Sequence, residues 1–335
     1  MDSISLVSVM IEKIPVKKLT KFIPIIGLIL FIYIIIDIGY EKIINAFSMI
    51  PWYFFVLSIV VFLPKLILAG FKWQYINKKQ EINISFLTIL KLYLLGLFYG
   101  SVTPGAIGMH IRVYYLRKKA QVSFEKCIAN SLIESTIALI AGLFIAVIGS
   151  TLVVRSYPGV LPLIFAFFFI YTLAFIFFME HKRGRGFFSF IIRPFLPKDN
   201  KQDIDTIISR LYKDIPLLRD LFIPFILELF IWTIAASQVY VLSLAFSISI
   251  SYVDFILLSV ASVIIGNVIP LTVGGLGVRE GTFVVLLSTY GVSYEIAFVL
   301  SLAGYLVKNL IPGLIGLFVS ILEKESPVEA IHSSV

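Results

Sequence analysis

The stretch with the clearest chemical potential covers residues 270–281, which read Pro-Leu-Thr-Val-Gly-Gly-Leu-Gly-Val-Arg-Glu-Gly. A proline ends the preceding helix, and the glycines that follow it permit positive φ angles and close backbone approach. These residues are Pro270, Gly274, Gly275 and Gly277. The pattern predicts a broken helix that leaves backbone groups open for a ligand.

Arg279 and Glu280 follow the glycines and are predicted to open a short helix over Thr282–Tyr290. A helix N-terminus with unpaired N–H groups and a nearby arginine favours a phosphate group. The structural alternative is that Glu280 caps the helix while Arg279 pairs with it or reaches to the membrane interface. We favour the phosphate site, because charge at membrane depth is costly and is usually functional.

A second proline–glycine stretch lies in the first half of the chain. Pro104, Gly105, Gly108 and Arg112 are its counterparts, with His110 close by. Arg112 is either a second contact for an anion or an ordinary arginine at the cytoplasmic interface. Further ionisable residues interrupt long apolar runs, where they predict a polar path. They are Lys65, Glu134, Glu228 and Lys308.

The composition requires a membrane. Of 335 residues, 59% are hydrophobic and 14% charged, and the mean hydropathy is +1.00, which is too apolar for a soluble domain of this length. The net charge of +8 does not indicate nucleic-acid binding, because the basic residues flank apolar segments. The single cysteine, Cys127, and three histidines predict no metal site, and we expect no cofactor.

Crossing a bilayer takes roughly 20 apolar residues. The candidate segments are Phe22–Ile38, Trp52–Gly70, Phe86–Thr103, Ile128–Val154, Val160–Met179, Leu221–Ile250, Phe255–Ile269 and Ala297–Leu322. We predict an all-α integral membrane protein with about six full spans and two Pro/Gly-broken, re-entrant hairpins. The first segment is interpreted as a retained span, because no small-residue cleavage site follows it.

Lys and Arg residues set the orientation. Basic clusters precede the first span, follow the second (Lys72, Lys78 and Lys79), and recur near residues 117–126 and 182–219. This alternation places both termini in the cytoplasm. Residues 181–220 form the one sizeable polar loop, where Ile and Leu at helical spacing predict an amphipathic helix on the membrane surface or packed on neighbouring loops.

The two halves of the chain share short matches in the same order. Residues 100–104 match 266–270, residues 122–125 match 292–295, and Ser131-Leu132 matches Ser301-Leu302, at offsets of 166 and 170. Three full crossings in the first half make the repeat inverted. We therefore assign the chain to a single membrane domain, residues 1–335, with repeat halves of about 22–154 and 160–322. Such repeats are typical of secondary transporters, with the site near mid-bilayer at their interface.

These motifs resemble the lysylphosphatidylglycerol synthase transmembrane family of flippase-like membrane domains. The resemblance is most specific at Pro270 to Glu280, and the stretch from Pro104 to Leu116 fits a second family element. Two positions depart from the family pattern: Met109 replaces an acidic residue, and Ser135 replaces an arginine after Glu134. The resemblance implies a prokaryotic plasma membrane and movement of a lipid between leaflets, without synthesis of that lipid.

The residues and the resemblance together predict a flippase or scramblase for an anionic phospholipid or a polyprenyl-phosphate-linked lipid, and not an enzyme. Two alternatives stay open. The first is a membrane-embedded transferase acting on a polyprenyl phosphate or phospholipid, and the second is a non-transporting subunit that anchors a separate lipid-modifying enzyme. The sequence contains no Walker A motif and no recognisable hydrolase motif.

Overall fold

The computed structural model of the chain describes residues 31–103, 106–180, 184, 209, 212, 215–268 and 275–322. All regular elements within these ranges are helices. Several predictions fall outside them, namely those for Pro104, Gly105, Pro270 and Gly274, for residues 22–30 of the first span, and for most of the amphipathic helix.

Among the described residues, eleven α-helices follow the helical residues 31–38. They are α1 (Tyr40–Ser48), α2 (Trp52–Lys79), α3 (Phe86–Val102), α4 (Arg112–Ala120), α5 (Phe124–Val153), α6 (Val160–Met179), α7 (Phe222–Ser243), α8 (Tyr252–Val268), α9 (Val278–Ser288), α10 (Tyr294–Tyr305) and α11 (Ile311–Leu322). A 3₁₀ turn, Ile107–Ile111, precedes α4, and a π turn, Leu306–Leu310, joins α10 to α11.

Five stretches of helix among the described residues are long and apolar enough to cross a membrane. They are Trp52–Lys79, Phe124–Val153, Val160–Met179, Leu218–Ser243 and Tyr294–Phe318. In hydrocarbon every backbone polar group must be satisfied within the helix, so long apolar runs fold in this way. The predicted all-α membrane architecture is confirmed, while the count of six spans remains a prediction.

The helices differ in how deeply they are buried in the protein. In α5, Gly142, Ala146 and Gly149 lie on buried positions, and this helix is the most enclosed of the long spans. Along α6 most side chains are exposed, including Phe165, Phe169 and Ile170. An apolar helix that exposes its side chains in this way faces lipid, so α6 lies at the periphery and α5 at the centre.

The most extensive helix contacts join the two halves: α2 packs on α7, α3 on α11, and α5 on α8. The matched motifs would make α3 the counterpart of α8, and α5 the counterpart of the helix formed by α10 and α11. The α3–α11 contact in one half would then be equivalent, through the repeat, to the α8–α5 contact in the other. This pairing agrees with the predicted repeat, which stays a prediction.

Glycines permit two of these close approaches. A Cβ atom on Gly316 of α11 would lie 2.2 Å from the Leu94 carbonyl oxygen of α3. On Gly149 of α5, it would lie 2.8 Å from the Leu257 carbonyl oxygen of α8. Small residues let helix backbones approach and gain van der Waals contact, which drives helix association in lipid.

Two shorter apolar helices, α3 and α8, end at the positions where the sequence predicts helix breaks. In each half the chain beyond the break folds back onto the helix before it. Gly108 packs against α3, where an added Cβ would lie 2.2 Å from the Tyr99 carbonyl oxygen. Gly266 packs against α9, where an added Cβ would lie 3.2 Å from the Arg279 Cα.

The predicted start of the helix after the second break is wrong. The helix begins at Val278 and not at Thr282, so Arg279 and Glu280 lie within its first turn. Gly277 is the N-cap, with φ of 84°, and its N–H donates to the Glu280 carboxylate. The first residue of this helix is determined by the capping interaction of Gly277 with Glu280. The apolar run begins four residues later and therefore does not indicate the start of the helix.

Candidate functional site

A cavity of about 380 Å³ lies between the two halves of the bundle. Its wall includes side chains from α2, α3, α5, α7 and α8, together with residues near the start of α9 and the π turn. Seven of the residues selected from the sequence line it: Lys65, Arg112, Glu134, Glu228, Gly275, Arg279 and Lys308. The structure therefore brings the proposed anion contacts and the proposed polar path into one space.

Four charged side chains form a continuous ionic chain along one side of the cavity. Arg112 pairs with Glu134, and Lys72 Nζ lies 2.5 Å from both Glu134 Oε1 and Glu228 Oε2. All four side chains are buried. Burying a charge costs less when an opposite charge pairs with it. This ionic chain has two cations and two carboxylates, and each of its charges has an opposite partner.

Arg112 is fixed from both sides. The 3₁₀ turn Ile107–Ile111 leads directly into α4, which begins at Arg112. Its guanidinium lies 4.9 Å from the centroid of the Trp73 ring, a cation–π contact, and pairs with Glu134 of α5 on the other side. His110, which also lines the cavity, hydrogen-bonds through Nδ1 to Ser131 Oγ at 2.8 Å.

Arg279 and Glu280 form the second charged group. The Arg279 guanidinium pairs with Glu280 and lies 4.3 Å from the Tyr305 ring centroid. Glu280 Oε2 accepts the Gly277 N–H at 2.6 Å, so the carboxylate caps the helix. This is the structural alternative left open above. Arg279 still lines the cavity, whereas Glu280 is fully buried behind it.

Lys65 and Lys308 differ from the other cations. Neither forms a hydrogen bond or an ion pair within 4.0 Å to any residue that the structure describes; Lys65 Nζ lies 5.3 Å from the Phe62 ring centroid. Lys308 lies within electrostatic range of Arg279 and Lys65, which carry the same charge, and of the Glu280 carboxylate, which pairs with Arg279. These two lysines therefore bring positive charge to the cavity without a directly paired carboxylate.

Lys308 owes its position to an irregular turn. It lies in the π turn Leu306–Leu310, where the Ile311 N–H bonds to the Leu306 carbonyl five residues earlier. Pro312 follows and has no N–H to donate to the Lys308 carbonyl, so the α-helical pattern cannot continue through this point. Such π turns occur frequently at functional sites.

The sequence pattern predicts that Lys72 belongs to a basic cluster at the cytoplasmic end of the second span. This prediction is wrong, because α2 continues to Lys79 and buries Lys72. The hydropathy of the segment falls at Gly70, before the helix ends. The spacing of Lys65 and Lys72, seven residues apart, places them on one helix face and is the signal that indicates their shared site.

The two described glycines of the second break, Gly275 and Gly277, differ in their position relative to the cavity. The φ angles of Gly275 and Gly277 are 77° and 84°, positive values that glycine permits. Of these two glycines only Gly275 lines the cavity. Several wall residues were not selected from the sequence, because their types are ordinary in an apolar helix: Tyr93, Trp232, Tyr305 and Asn309.

The model of the lysylphosphatidylglycerol synthase transmembrane region matches residues 22–316, which is most of the chain and includes both breaks and the whole cavity wall. The chain belongs to this family. Its similarity to UPF0104 membrane proteins of archaea is also extensive. The Pyrococcus horikoshii protein is 21% identical over 87% of this chain and 93% of its own length.

Two further archaeal UPF0104 membrane proteins are similar over nearly the whole chain. The Methanothermobacter thermautotrophicus protein is 24% identical over 84% of this chain and 87% of its own length. The Methanocaldococcus jannaschii protein is 24% identical over 93% of this chain and 97% of its own length. The likeness thus extends across both halves of the bundle.

In this member of the transmembrane family, Arg112 obtains its carboxylate from another helix. Met109 stands where the resemblance leads us to expect an acidic residue, and it packs near Gly96 and Gly100 of α3. The partner of Arg112 is Glu134 of α5, and Lys72 is the second cation beside Glu134.

Proposed function

We propose that the protein is a lipid translocase that moves an anionic, phosphate-bearing lipid between the leaflets of a membrane. The observation that carries this proposal is the cavity between the halves, which is enclosed by apolar spans and lined by five basic side chains. They are Lys65, Lys72, Arg112, Arg279 and Lys308. Charge at this depth is expensive and favours a role in binding.

The arrangement supports translocation in a specific way. Gly275 and Arg279 approach the cavity from the second half, while Arg112 approaches it from the first. A head group held between them touches both halves at once. Movement of one half against the other then exposes the head group to each leaflet in turn, as in transporters built from broken helices.

The proposal includes an orientation. With the basic loops on the cytoplasmic side, both termini are cytoplasmic. The plasma membrane of a prokaryote is what the resemblance to the family implies. Arg155, which is exposed between α5 and α6, then lies on the outer side, away from the cavity. Its position makes it a matched control for the loss of one positive charge.

The test uses purified protein in vesicles that contain a fluorescent anionic phospholipid, to which a membrane-impermeant quencher is added. We expect the signal of wild-type vesicles to fall beyond the outer-leaflet fraction. Arg279→Ala should slow this second phase by about tenfold or more, because a buried charge that contacts the head group is lost. Arg155→Ala should retain the wild-type rate.

Absence of movement by the wild-type protein for anionic, zwitterionic and polyprenyl lipids alike, with and without an ion gradient, would refute the proposal. Turnover of a lipid-linked donor would then indicate a membrane transferase. Co-purification with a soluble enzyme, without lipid movement, would indicate an anchoring subunit.

A further inference from the structure

The cavity carries an uneven distribution of charge. Five cations line it, and three carboxylates pair with them: Glu134, Glu228 and Glu280. With each of these side chains in its charged form, the described residues leave a surplus of two positive charges. The sequences of the two breaks, residues 104–105 and 269–274, contain no ionisable side chain that would alter this surplus.

The excess positive charge can be assigned to particular residues of the cavity. Lys72 and Arg112 are neutralised by Glu134 and Glu228, and Arg279 is neutralised by Glu280. Lys65 and Lys308 are the cations without a directly paired carboxylate, and they lie within electrostatic range of each other. Lys65 is only 6% exposed.

Two like charges close together in a poorly solvated space repel each other. A ligand with one negative charge balances only half of this surplus. A ligand with two negative charges on neighbouring oxygen atoms removes the surplus and gives each lysine a partner.

From this charge balance, which rests on the proposed function, we infer that the cavity selects a dianionic phosphate head group. A phosphate monoester at neutral pH carries close to two negative charges and three acceptor oxygens. A phosphodiester, as in most membrane phospholipids, carries one. Lys65 and Lys308 are the residues that make this distinction, whereas Arg112 and Arg279 contact phosphate of either kind.

The π turn gives the inference a structural basis. An extra residue in one helical turn changes the direction of the side chains that follow by about 100°. The turn places Lys308 on the cavity wall beside Asn309, and Lys65 of α2 lines the same cavity. The irregularity therefore places one cation within electrostatic range of another, an arrangement that is unfavourable unless an anion lies between them.

The experiment compares two fluorescent lipids with identical acyl chains in phosphatidylcholine vesicles at neutral pH. Phosphatidic acid is the monoester and phosphatidylglycerol the diester. We expect the wild-type protein to move phosphatidic acid at least about tenfold faster, since the second negative charge is matched only in the monoester. Lys308→Met and Lys65→Met should abolish this preference by slowing phosphatidic acid alone. Arg155→Met should leave the ratio unchanged.

Equal rates for both lipids in the wild-type protein would overturn the inference and leave the proposed function intact. A preference that survives both lysine substitutions would overturn the assignment of those residues. If either variant fails to fold, as judged by its elution and melting, Lys→Gln at the same position replaces it. Uptake of inorganic phosphate by the vesicles, without movement of any lipid, would support the dianion site and refute lipid translocation.

Discussion

At the residue scale, Lys72 holds the ionic chain together. It bridges carboxylates from two helices, Glu134 of α5 and Glu228 of α7, which belong to different halves of the chain. Both distances are 2.5 Å, and all three side chains are buried. Removing one partner of a buried pair leaves a charge without compensation, and this is far more destabilising than removing both.

Lys72→Met should therefore lower the free energy of unfolding by about 3–5 kcal/mol. Glu134 retains Arg112, so Glu228 is the carboxylate left without a bonded cation, and Glu228→Gln introduced together with Lys72→Met should recover part of the loss. Unfolding in sodium dodecyl sulfate, followed by circular dichroism, measures both variants. Additive losses in the double variant would contradict the bridge.

A surface lysine provides the comparison. Lys79 pairs with Asp220 at 2.8 Å and is exposed to solvent. Exposed ion pairs contribute little to stability. Lys79→Met should consequently unfold at nearly the same detergent concentration as the wild-type protein.

At the element scale, the contact between α3 and α11 depends on glycine. Gly316→Ala would introduce a Cβ atom 2.2 Å from the Leu94 carbonyl oxygen, and backbone cannot yield as a flexible side chain does. We expect a loss of about 1–3 kcal/mol in the free energy of unfolding, as for other overpacked contacts. Gly159→Ala is the matched control, because its added Cβ would have no neighbour within 4 Å. A change in Gly316→Ala no larger than in the control would refute this account.

Sequence reasoning located most of the helices because a bilayer fixes their length and composition. It predicted the bounds of α3, α5 and α8 to within about four residues and those of α6 as observed. The second span ends nine residues later than predicted and α7 seven residues earlier. The errors occurred where local capping or helix extension overrides hydropathy. The start of α9 depends on Gly277 and Glu280, and the burial of Lys72 depends on a helix that continues beyond its apolar part.

The candidate site was predictable to a similar extent. A charge in an apolar run is rare, and this selected Lys65, Glu134, Glu228 and Lys308 without knowledge of their distances. Which charges pair with which depends on how the helices pack, and no pattern along the chain gives that information. The sequence shows that Pro312 removes one backbone donor, but the formation of a π turn at Lys308 instead of a helix end depends on packing.

At the scale of the whole molecule, the proposed inverted repeat makes a claim about the two faces of the membrane. Lys119, at the end of α4, and Tyr294, at the start of α10, are both exposed and lie near the equivalent junction of the two halves, because Tyr294 matches Phe124, five residues after Lys119. In an inverted repeat they lie on opposite sides. Parallel halves would place them on the same side.

Variants that carry one added cysteine beside native Cys127 test this arrangement. In intact cells, a membrane-impermeant maleimide should label Tyr294→Cys, and Lys119→Cys should react only after the membrane is permeabilised. Native Cys127 is fully buried and should stay unlabelled in both, which the wild-type protein establishes. Labelling of both variants from outside would refute the inverted topology.

The placement of the indole rings gives the cavity an optical reporter of its own. The chain has three tryptophans: Trp52 is 76% exposed on α2, Trp73 is buried beside Arg112, and Trp232 lines the cavity wall. A lipid-soluble quencher should suppress the fluorescence of Trp52. The remaining emission then comes from Trp73 and Trp232, which lie beside the charged site. Binding or release of a ligand in the cavity should shift the wavelength of their maximal fluorescence. Occupancy of the cavity can then be followed in real time without an attached dye.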